Sequence, residues 1–124
     1  MAHSSNVQFL IVISAPPELA AEGEKLFSSH AEWMEKTHYK EGDKALLTYD
    51  VSKADEMENP MDPNSKPTGN TTFILSEVYK GAVGLQDHWQ QAQESWKDFS
   101  SMLDWLGKCK MTMVNGATIV HSLW

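Results

Sequence analysis

The spacing of apolar residues changes along this chain, and the order of those changes constrains the fold more than any other feature. Val7 to Ser14 (VQFLIVIS) is a short, apolar, β-branched run stopped by Pro16 and Pro17, the pattern of a buried strand. Glu18 to His38 then takes helical spacing. Leu19, Gly23, Leu26, Phe27, His30 and Met34 share one face, and Glu18, Glu22 and Glu24 suit the positive end of the helix dipole. Glu41-Gly42-Asp43 marks a turn. Lys44 to Ser52 alternates, with Leu47, Tyr49 and Val51 on one side and Leu46, Thr48 and Asp50 on the other. Residues 53–70 contain three prolines and Gly69, which predicts a long loop, either a lid over a pocket or a free flap. Thr71 to Tyr79 reads as a third strand with Phe73, Leu75, Glu77 and Tyr79 on one side. From Leu85 the series Leu85, Trp89, Ala92, Trp96, Phe99, Leu103, Leu106 steps by four and three, a helical stripe in one or two pieces that ends at Gly107. Lys110 to Trp124 is a last strand region with a bulge or tight turn at Asn115-Gly116.

The resulting order is strand, helix, strand, strand, helix, strand. It predicts an α+β domain spanning 1–124 with the ferredoxin-like split β-α-β arrangement, both helices on one face of the sheet. In the first strand Phe9, Ile11 and Ile13 face one way and Leu10 and Val12 the other, so both sheet faces carry apolar residues. A homodimer packed sheet on sheet would cover the second face.

Composition narrows the partners. Asp and Glu number 17 against 10 basic residues, a net charge of −7, which argues against nucleic acid or an anionic membrane surface. All the basic residues are lysines, so the bidentate clamp that arginine makes on carboxylates and phosphates is absent. A single cysteine, Cys109, excludes an intrachain disulfide and a multi-cysteine zinc site and reads as structural. Met1 to Asn6 lacks the basic segment of a signal peptide, and no apolar run approaches membrane-spanning length; a soluble, cytoplasmic protein is expected.

Glu77-Val78-Tyr79-Lys80, with His88 eleven residues after the glutamate, resembles the signature of the antibiotic biosynthesis monooxygenase (ABM) domain family. Gly42-x-x-x-Leu46-x-x-Tyr49-x-Val51, Asn70-x-x-Phe73-x-Leu75 and Phe99-x-x-x-Leu103 fit the same pattern, which covers nearly the whole chain. The resemblance implies a dimeric α/β barrel with a pocket between sheet and helices in each subunit. It also implies a monooxygenase of small phenolic or enolic substrates that uses no metal or organic cofactor. Other members degrade haem or have no assigned activity, so a haem-binding or non-catalytic, stress-associated barrel is the alternative. The missing arginine and the long 53–70 segment depart from the pattern and bear on the substrate.

His88 is the candidate base, since imidazole can take a proton from a phenol or enol near neutrality. The structural alternative is a histidine that shapes the start of the second helix. Glu77 stands on an apolar strand face, where a carboxylate is costly unless paired. It either orients His88 or forms an ion pair with a lysine. His30, Trp33, Tyr49, Tyr79, Trp89 and Phe73 are candidate substrate contacts, the aromatics as walls and hydrogen-bond donors. Each of them could equally be plain core. His30 and His38 lie two turns apart, too far to share a metal without other ligands, so no metal site is expected. Met102, Met111 and Met113 read as core or dimer-face filler, and His121 as an edge residue of the last strand.

Overall fold

The structure is a computed structural model and describes residues 2–124. Its elements run β1 (Val7–Ala15), α1 (Pro17–Thr37), β2 (Leu46–Met57), β3 (Pro67–Tyr79), α2 (Ala82–Ser95), α3 (Phe99–Gly107) and β4 (Lys110–Thr118). The four strands form one antiparallel sheet in the order β2-β3-β1-β4. All three helices pack on the face that carries Phe9, Ile11, Ile13, Ala15, Phe73 and Leu75, all buried. This α+β architecture is compatible with the ferredoxin-like arrangement, the second helix being split in two.

The first strand and first helix form where the apolar spacing places them. Pro16 caps α1 and Pro17 is its first residue, where a missing N–H costs nothing. Gly23 is needed where α1 meets α3. A Cβ there would sit 2.9 Å from Cη2 of Trp105, whose ring is wholly buried and whose indole N–H donates to the Leu19 carbonyl at 2.9 Å.

The expected 53–70 loop is corrected. β2 runs on to Met57 and β3 begins at Pro67, so only residues 58–66 connect them. Proline is tolerated there because Pro67 opens its strand and pairs only with Met57; β1 first meets β3 at Thr71. Gly69 at φ +97° and a register shift between Asp55 and Met57 absorb the irregularity. Glu56 fastens the ribbon by accepting from Ser14, Thr68 and Asn70.

Three further departures have local causes. A register shift between Leu46 and Thr48 turns Leu46 to the same side as Tyr49, the two facing Tyr79 and Glu77, and leaves Leu47 exposed. The helical stripe breaks at 96–98, where Trp96 is extended and Asp98 accepts from Ser29 at 2.6 Å. The break resets the phase, so α3 buries Met102, Trp105 and Leu106 while Leu103 is 48% exposed. β4 ends at Thr118, which places His121 beyond the strand rather than in it. The bulge at Asn115-Gly116 is present: Gln8 faces Ala117 and Phe9 faces Asn115, with Gly116 between them at φ +102°.

The outer sheet face is mixed. Leu10, Val12, Ile74 and Val114 alternate with Gln8, Ser14, Thr72 and Ser76, and Val12 and Val114 are exposed. No helix of the described residues is long and apolar enough to cross a membrane.

Candidate functional site

Sheet register sets the floor of the site. Phe9 of β1, Glu77 of β3 and Tyr49 of β2 stand side by side across three strands and point toward the helices. Above them α1 presents His30 on its buried face, and α2 presents His88 between Leu85 and Ala92 on its own. Gly84 lets α2 approach this closely: a Cβ there would meet the Lys44 carbonyl oxygen at 2.9 Å and the Tyr79 ring at 3.0 Å. His38, the first residue past α1, reaches back over the same row.

These side chains pack together as three hydrogen-bonded pairs, His30 with Tyr49, His38 with His88 and Tyr79 with Glu77. Nδ1 of His30 lies 2.7 Å from the Tyr49 hydroxyl, and Nε2 of His38 lies 2.9 Å from Nδ1 of His88. His38 Nδ1 meets the Thr37 hydroxyl at 2.9 Å, and that hydroxyl donates to the Trp33 carbonyl. Glu77 is completely buried. Its Oε1 accepts from the Tyr79 hydroxyl and lies 3.8 Å from Nδ1 of His88, while its Oε2 has no hydrogen-bond partner. Of the two alternatives for Glu77, no lysine pairs with it among the described residues; Tyr79 donates to it and His88 lies beside it. Trp33 and Trp96 stack at 5.9 Å between ring centroids and tie α1 to α2, donating to Ser95 and Ser29.

Burial decides the charge of the group. His30 and His88 are only 4% and 3% exposed, and loss of hydration lowers both imidazoles to about 3, each further opposed by a neighbouring histidine. His38 is lowered by burial as well, against a raising influence from Asp87. Burial raises the Glu77 carboxyl to about 7, with the Tyr79 hydroxyl pulling the other way. It also raises the phenols of Tyr49 and Tyr79, helped by Glu77. At neutral pH the imidazoles are thus uncharged, and Glu77 stands near the midpoint of its titration.

The group borders a cavity of about 50 Å³. His30 and His88 are its only titratable lining residues among the described ones; Ile11, Leu75, Ala92, Trp96 and similar side chains make up the rest. Trp89, Phe99, Leu103 and Met113 close the side nearest solvent. No family model, curated protein or solved structure matches this chain. The chemistry of the site is therefore argued from the side chains themselves.

Of the candidate residues, His30, His88 and Trp89 line the cavity. Glu77, Trp33, Tyr49 and Tyr79 stand behind the two histidines. Phe73 lies outside this cavity, stacked on Phe27 at 5.6 Å and edge-on to Trp105 at 5.7 Å. No part of 53–70 lines the cavity, which removes the lid. His38 was not among the candidates. Its lone signal was position, at the expected end of a helix that already carried His30. Met102 and Met113, expected as filler, form part of the cavity wall. The pair His30 and His38 does not come together as a ligand set. The structure instead gathers His30, Glu77 and His88, with one ligand atom from each lying within 4.8 Å of the others. Cys109 is half-buried, and burial with nearby Glu22 pushes its thiol up, away from a reactive thiolate.

Proposed function

We propose that this protein is a small oxygenase of the ABM type that removes a proton from a phenolic or enolic substrate. The observation that carries this reading is a small, mostly apolar cavity whose titratable wall is two neutral imidazoles, with a carboxylate 3.8 Å behind one of them. The substrate hydroxyl gives its proton to His88. An imidazole held to about 3 is a weak base alone, so Glu77, tuned to about 7, must be ionised to stabilise the imidazolium. The His88–His38 bond offers the proton a route outward, because His38 is only half-buried. The substrate anion then reduces dioxygen: the substrate gives up four electrons and two hydrogens, one oxygen atom bonds to its carbon as a carbonyl and the other leaves as water, while the apolar wall keeps bulk water from the charged intermediate.

Size restricts what enters. An engineered cavity of roughly 150 Å³ takes up benzene, so about 50 Å³ admits a diatomic gas but no aromatic ring in this conformation. An organic substrate requires Phe99, Leu103 and Met113 to move aside, and a haem is far too large. The same smallness favours the second reading, a non-catalytic barrel in which His88 and Glu77 join α2 to the sheet. Covering Val12 and Val114 with a second copy, sheet on sheet, would complete the dimeric barrel in either reading.

Oxygen uptake decides between them. Purified protein is incubated with a panel of phenols and quinols, with His88→Ala alongside. Uptake that falls at least 100-fold in His88→Ala supports the oxygenase; no uptake with any compound, or uptake indifferent to the substitution, supports the non-catalytic barrel.

A further inference from the structure

The geometry points to a transition-metal site formed by His30, Glu77 and His88, an inference that does not rest on the oxygenase reading. Three features of the structure carry it. One ligand atom from each residue lies within 4.8 Å of the other two, and all three residues are buried. They come from α1, β3 and α2, so the set is held by three packed elements rather than by a mobile loop. Glu77 Oε2 is a buried oxygen with no hydrogen-bond partner, an arrangement that proteins rarely leave uncompensated.

Two imidazoles and one carboxylate are the donor set of open zinc sites and of non-haem iron sites, which keep positions free for water or substrate. Metal–ligand distances near 2.1 Å put neighbouring ligand atoms roughly 3.4 Å apart in a tetrahedral site. Each ligand atom must therefore move inward by about 1 Å at most, within the reach of side-chain torsions. The surroundings suit such a site. His30 is already oriented by the Tyr49 hydroxyl at Nδ1, the kind of partner that holds a ligating histidine in place. The His88 Nδ1 that lies 3.8 Å from Glu77 is bonded to His38, so ligation through that atom exchanges the His38 bond for the metal. The cavity against His30 and His88 leaves space on the open side of the ion. A softer or larger coordination sphere is not offered, because Cys109 belongs to neither the cavity wall nor the ligand group. The ligand class is thus a divalent first-row metal ion of the cobalt, iron or zinc kind. Because the metal and a substrate proton would use the same His88 imidazole, bound Zn²⁺ should also suppress any proton transfer by the metal-free protein.

The test is a titration of chelator-treated, folded protein with Co²⁺, followed by visible absorption and then by competition with Zn²⁺. The expected result is one Co²⁺ per chain with ligand-field bands, displaced by Zn²⁺ as the stability order of these ions requires. Affinity should fall at least 30-fold in Glu77→Gln, which keeps the shape of the protonated acid, and likewise in His88→Gln. His121→Gln, altered on the exposed tail, should bind as the wild type does. Circular dichroism confirms that each variant is folded. Absence of ligand-field bands at saturating Co²⁺, or equal affinity in folded Glu77→Gln or His88→Gln, would overturn the assignment. So would loss of binding in His121→Gln, which would locate the ion on the surface.

Discussion

Glu77 occupies the position where burial has most to say about behaviour. A fully buried carboxyl holds its proton to about 7, and one standing 3.8 Å behind the His88 imidazole serves that ring only once the proton is lost. If Glu77 must be ionised for His88 to work, kcat/KM for an accepted substrate rises with pH through about 7 and levels above it. In Glu77→Gln that inflection should vanish and the rate should stay low at every pH; an unchanged profile in the variant would remove Glu77 from the mechanism. Stability moves as well. His30 and His88 are lowered to about 3, so the unfolded chain takes up protons on them first as pH drops below 6.5, and folding loses stability. Glu77 is raised, so its own contribution is present below 4.5 and is lost as pH rises through about 7. Between these limits two histidines oppose one carboxyl. The unfolded state then binds at least about one proton more, since His38 is also lowered and adds to the histidine side, and stability should fall by about 1.4 kcal/mol or more per pH unit on acidification. Urea unfolding at stepped pH measures this. A flat dependence from pH 6.5 to 4.5 would mean that the histidines are not held neutral.

Two glycines govern the elements around the site. Gly23→Ala sets a methyl group against the buried Trp105 ring and should destabilise the protein by about 2–3 kcal/mol in urea unfolding, because overpacking a rigid neighbour has few outlets. Gly84→Ala forces the start of α2 away from the Lys44 carbonyl and the Tyr79 ring. It should cost about 1–3 kcal/mol in the same assay and displace His88, one turn further along, from His38. Wild-type stability in either variant would show that these helices are not in close contact. Local patterning revealed much of this level. β1, α1, the inward row of β3 and the placing of His30 on a buried face follow from periods of two and of three to four, and the Asn115-Gly116 pair marks the bulge. The α2 stripe is a residue off, since it runs through Trp89 while the structure buries His88. What it missed depends on contacts between elements. Pro60, Pro63 and Pro67 argued for a loop, yet Pro67 stands where only one neighbouring strand exists and no second ladder is lost. The slip at Trp96–Asp98 turned Leu103 outward and Trp105 inward, although the apolar series ran across it without a gap. The His38–His88 bond joins residues fifty apart in the chain, and nothing in the spacing near either residue announces it.

For the molecule as a whole, the helices cover one side of the sheet and leave Leu10, Val12, Ile74 and Val114 on the other, set among serines and threonines. A face of this kind suits a partner that brings the same face. Light scattering at micromolar concentration should give the mass of a dimer, and Val12→Lys with Val114→Lys should give that of a monomer with unchanged circular dichroism. A wild-type monomer would contradict the proposed barrel, although the buried group under the helices is complete within one chain.

That buried group is what the account stands on, and histidine NMR tests it most directly. With ring nitrogens labelled and the five histidines assigned by substitution, the resonances of His30 and His88 should keep the shifts of neutral imidazole from pH 8 down to the onset of acid unfolding, in accord with values near 3. If either ring instead titrates near 6.5 in the folded protein, it is hydrated and charged below that pH, and the neutral imidazole wall does not exist.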